Sequence, residues 1–109
     1  MPEMTVSVRW PDGSLQDCWS PSLVMHDHLA PGAFYTVADF AHRATTALAE
    51  AGERVRQRHG FACTSAAASA ELVRRRAAAH RHDDLVEVVR MWPPLPAAAP
   101  TSPTTPERP

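Results

Sequence analysis

Lysine, isoleucine and asparagine are missing from this 109-residue chain, and cysteine occurs only twice. All three missing residues need A/T-rich codons, whereas the abundant alanine and arginine can use G/C-rich ones. Arginine therefore stands wherever a cation is needed, and the choice of Arg over Lys carries no functional information. In the cytoplasmic location expected for this chain, Cys18 and Cys63 should be reduced thiols rather than a structural bridge. No apolar run reaches membrane-spanning length, and residues 1–10 alternate where a secretory leader would be continuously apolar. A cytoplasmic protein is expected. A formal net charge of −1 leaves no global field for nucleic acid or anionic lipid.

Motifs of reaction chemistry are also lacking. There is no Gly-rich phosphate loop, no strained nucleophile turn, no His-Glu-X-X-His and no Cys-X-X-Cys. No bound cofactor is expected.

Proline is abundant but unevenly placed, with seven of eleven falling from Pro93 onward. Such a segment has few backbone donors and little apolar mass, so burial cannot offset its ordering entropy. Residues 93–109 are expected as a disordered Pro/Ala/Thr-rich tail, and residues 1–92 as a single domain, a size at which stability is thin.

Within that domain Met4, Val6, Val8 and Trp10 alternate with polar residues, the period of a half-buried strand. Pro11-Asp12-Gly13 is turn chemistry, and a second strand over about Ser14 to Trp19 should return antiparallel. Leu23 to Leu29 fits either a short strand or a packed loop, and Phe34-Tyr35 a brief extended segment. Thr36 is placed as an N-cap with Asp39 in the first turn. Phe40, Ala44, Ala47, Leu48, Ala51 and Val55 form one helical stripe, with Glu50 and Arg54 as an i,i+4 pair on the other face. Gly60 should end that helix. A second helix is expected from about Ala67 to His80, capped by Thr64 or Ser65 and anchored by Leu72 and Val73. Leu85 to Met91 reads as the last strand. Strands grouped before and after the helices predict an α+β fold, a small antiparallel sheet covered on one face by two helices.

Three sets of side chains could carry chemistry. Cys63, just before a helix N-terminus, could have a lowered thiol pKa, or could be a small buried residue. Cys18 could join it only if the two Cα atoms lay within about 7 Å. His26, Asp27 and His28 are the densest metal-capable set; in a strand both histidines would share a face, with Cys18 or Asp17 completing the site. Arg74-Arg75-Arg76 reads as a solvated helix face, since Asp83 and Asp84 follow and a nucleic-acid footprint needs a net basic surface.

The order Trp10-Pro11-Asp12-Gly13, Cys18-Trp19-Ser20-Pro21-Ser22, Gly32, Tyr35, Asp39-Phe40, Glu53-Arg54-Val55 and Gly60-Phe61-Ala62-Cys63-Thr64-Ser65-Ala66 resembles a family of short bacterial nitrogen starvation response proteins. The resemblance covers roughly residues 1–90; Trp19 and Gly52 stand where the pattern has Tyr and Ser. Members are encoded beside a nitrilase, a radical S-adenosylmethionine protein, an acetyltransferase and a synthetase-like enzyme. The resemblance implies a role in nitrogen assimilation from nitriles or cyanide. It supplies no catalytic residue, and it directs attention to Cys18, Ser20, Ser22 and Cys63 as binding candidates. The expected role is a non-catalytic accessory protein. The expected partners are enzymes of that cluster, with self-association left open. The alternatives are thiol-dependent processing of a small molecule through Cys63, and metal binding through His26 and His28.

Overall fold

Alternation in the first ten residues is realised as β1 (Met4–Arg9), whose even-numbered side chains are buried. In this computed structural model residues 3–60 and 64–93 are described. Cys63 and all but the first residue of the expected tail lie outside them. After the Pro11-Asp12-Gly13 turn the chain returns as β2 (Leu15–Ser20), antiparallel to β1 with Val6 opposite Cys18. Asp12 holds the turn: its carboxylate accepts from the backbone N of Ser14 at 3.0 Å and from the Ser14 hydroxyl at 2.6 Å.

A 3-10 helix (Leu23–Asp27) follows, where a strand or a packed loop was expected. The cause is local. Ser22 caps it by accepting from the Val24 N–H at 3.1 Å, and Val24 and Met25 are buried. The short β3 (Phe34–Thr36) then leads directly into α1 (Val37–His59). Thr36 caps α1 as expected, accepting from the Asp39 N–H at 3.1 Å. The expected Glu50–Arg54 pair gives way to another contact, since Glu50 meets His28 Nε2 at 3.1 Å.

Gly60 terminates α1 with φ of 79°, and among the described residues no atom beyond its chain neighbours lies within 4 Å of where its Cβ would sit. The space is open, so Gly60→Ala should carry only the left-handed backbone penalty, about 1 kcal/mol. A fall in Tm of about 4–8 °C is expected, and a shift below about 1 °C would contradict the αL cap.

The second helix, α2 (Thr64–Ala78), begins three residues earlier than its periodicity suggests. Its inward stripe is Ala66, Ala70 and Val73; Leu72, expected as an anchor, is half exposed. The Ala66-Ala70-Val73 spacing defines the buried side, and Leu72 falls off it by one residue. Finally β4 (Leu85–Trp92) enters between β1 and β3, giving the sheet order β2-β1-β4-β3 with every neighbour antiparallel. A bulge at Val89 keeps both Val88 and Met91 directed into the core.

The core forms between one sheet face and the helices. Val6, Val8, Val86, Val88 and Met91 from the strands meet Phe40, Ala44, Ala47, Leu48 and Ala51 from α1. Alanines at that interface let α1 approach the sheet closely.

Candidate functional site

Each candidate side chain among the described residues has a definite place. Cys18 sits on the inner sheet face, 3% exposed, and burial alone pushes its thiol from an ordinary 9.0 up to about 11. It is a protonated core residue at neutral pH. Because an unfolded thiol ionises earlier, Cys18 contributes stability below about pH 9 that is lost as pH rises toward 11. The loss should reach about 2–3 kcal/mol at the upper end. Denaturation of wild type and Cys18→Ala across that range checks this, and parallel pH profiles would refute it.

Ser20 and Ser22 support one chain reversal. The buried Ser20 hydroxyl donates to the Ser22 carbonyl at 2.8 Å and accepts from the Ser22 N–H at 3.3 Å. Both hydroxyls are thus engaged by backbone, Ser22 through its cap. Ser20→Ala would leave those groups unsatisfied in the interior, at about 1–3 kcal/mol.

His26 and His28 do not share a face, because the segment is helical rather than extended. His26 Nε2 donates to the Pro93 carbonyl at 3.0 Å, and His28 Nε2 lies 3.1 Å from Glu50. Asp27 is exposed. Among the described residues no group of three His, Cys, Asp or Glu side chains is placed to hold a metal ion.

The basic run on α2 divides. Arg74 and Arg75 are exposed and face Glu71 at 3.7 and 3.4 Å, as a solvated face would. Arg76 turns inward, 5.7 Å above the Trp10 ring, and donates to the Ser14 hydroxyl. His80 stacks on the same indole at 5.5 Å, while Trp10 Nε1 donates to Gln16 at 2.9 Å. Beside them Asp12 stays below the usual carboxylate range, chiefly through the Ser14 hydroxyl. This polar cluster clamps the β1–β2 turn to the end of α2.

A groove of about 320 Å³ between α1 and α2 is walled by Leu48, Gly52, Ala66 and Ala70, with Glu53, Arg56 and Arg74 among its polar lining residues. Glu53 and Arg56 bond each other at its edge. Among the described residues that pairing leaves no convergent set of polar groups to orient a ligand.

Sequence reasoning did not reach the outer sheet face. Leu15, Phe34, Leu85, Val89 and Trp92 are between 41% and 63% exposed, and Trp19 is half-buried beside them. Strand alternation carried the signal, because β2 and β4 place apolar residues on both faces.

Among the described residues no helix is long and apolar enough to cross a membrane. No curated protein and no solved structure matches the chain. A family model does match, over residues 5–91, and its description is nitrogen starvation-induced protein NitG. That span takes in β2, β3, both α-helices and all but one residue each of β1 and β4. The chain belongs to the family of the nitrogen starvation-induced protein NitG.

Proposed function

We propose that this protein is a non-catalytic accessory factor of a nitrogen-starvation-induced nitrilase gene cluster, working in the cytoplasm by binding an enzyme of that cluster. The observation that supports this most is where the polar candidates find their partners. Ser20, Ser22 and His26 bond to backbone, Cys18 lies in the core, and His28 pairs with Glu50. None of these groups is directed at a shared reactive point. Family membership supports the nitrogen-starvation part of this reading.

Chemistry on nitriles or cyanide would then belong to the partner enzyme. Tagged full-length protein, expressed with the nitrilase and the radical S-adenosylmethionine protein, is expected to retain one of them through size-exclusion chromatography. Elution free of every cluster enzyme would defeat the proposal.

A further inference from the structure

One side of the sheet is bare among the described residues. The helices share a single core cluster with the inward side chains of the strands, and the alternate side chains face away. On that outer face the strand register sets the side chains in rows across β2, β1 and β4. Trp19, Thr5 and Trp92 make one row, because Thr5 is the Cα partner of both tryptophans. Asp17, Ser7 and Arg90 make the next. Leu15, Arg9 and Glu87 make a third, extended by Phe34 on β3.

The rows have a symmetry of their own. The first reads indole, threonine, indole, and the second reads acid, serine, base. A two-fold axis along β1, in the plane between two such faces, exchanges the β2 side of one copy with the β4 side of the other. Trp19 of each copy then lies over Trp92 of its mate, and Asp17 lies over Arg90, each contact made twice. Glu3 reinforces the acidic side, since it accepts from Trp19 Nε1 at 2.7 Å. In the third row the axis sets Arg9 over Arg9 of the mate and Glu87 over Leu15; each Arg9 is paired with its own Glu87 at 2.9 Å, so these two residues carry no net charge into the contact.

From this complementarity we infer that the outer sheet face binds a second copy of this chain, forming a face-to-face, two-fold homodimer. Sheets packed this way sit about 10 Å apart, enough for one layer of interleaved indole rings. The three strands that overlap about this axis, β2, β1 and β4, give a footprint of roughly 300 Å² per copy. That is smaller than a standard specific interface, so the dimer is expected to be weak and reversible, populated at high protein concentration. The inference is independent of the accessory role: a dimer with no enzyme partner, or a monomer with one, would separate the two.

The test uses full-length protein in sedimentation equilibrium. Wild type should dimerise reversibly, and Trp92→Ala, which removes an indole from the interface twice, should weaken association about 30-fold or more. Asp17→Arg sets the introduced guanidinium of one copy against Arg90 of the other, and Arg90→Asp sets an introduced carboxylate against Asp17. Each variant should be folded and monomeric alone. Mixed together, the two restore opposite charges at both positions and should form a one-to-one heterodimer. A mixture that stays monomeric overturns the proposed register. Wild type that is monomeric at every concentration overturns the dimer itself.

Discussion

Trp10→Ala should be the most damaging single substitution in this protein, costing about 3–5 kcal/mol and lowering Tm by about 20 °C or more. The indole is 1% exposed and binds four elements together. Its edge meets Phe40 on α1 at 5.4 Å and 89°, its face carries His80 at 5.5 Å, and Arg76 sits above it. Its N–H donates to Gln16 on β2. Truncation to alanine opens a cavity and orphans the Gln16 carbonyl at once. A domain of this size has about 5–15 kcal/mol in total, so a large share disappears. Urea denaturation should show a lower midpoint with an unchanged slope. Trp10→Phe, which keeps most of the ring volume, should fall well short of that loss. A shift of only a few degrees for the alanine variant would mean that the hairpin is not anchored through this residue.

Phe40→Ala should come close behind, again about 3–5 kcal/mol. Phe40 is the largest side chain of α1 that is fully buried, and the rest of the α1 stripe is mainly alanine. Small residues bring the helix close to the sheet but contribute little apolar area each, about 25 cal/mol per Å². Phe40 therefore supplies much of what holds α1 down. Because it also meets Trp10 edge to face, the double variant should lose less than the sum of the singles, by about 0.5–1.5 kcal/mol. Strict additivity would show that the ring contact contributes nothing of its own.

How much of this could be read beforehand varied with the range of the interaction. The hairpin, the Thr36 and Gly60 caps and the α1 stripe depend on neighbours a few residues away, and the periodicities of Met4–Trp10 and Phe40–Ala51 revealed them. The 3-10 helix was hidden because its determinant is one hydroxyl, that of Ser22, in a segment too short to show a period. Leu72 misled because an Ala-rich helix has several candidate stripes, and only packing chooses between them. The inward turn of Arg76 depends on Trp10 and Ser14, more than sixty residues away in sequence, and the pairing of β4 with β1 likewise joins strands far apart in the chain. For the candidate site, residue types in Cys18-Trp19-Ser20-Pro21-Ser22 suggested chemistry, yet alternation sends Cys18 and Ser20 into the core and Trp19 to the opposite face. The grouping of Leu15, Phe34, Trp19 and Trp92 on one sheet face was visible only once the strands were paired.

Growth on a nitrile as sole nitrogen source, in a strain carrying chromosomal replacements, tests most directly whether this protein works by binding rather than by thiol chemistry. A cysteine-free protein, Cys18→Ala with Cys63→Ala, should support growth like wild type when its level in the cell is matched. Growth lost without the cysteines at a matched level would contradict the account.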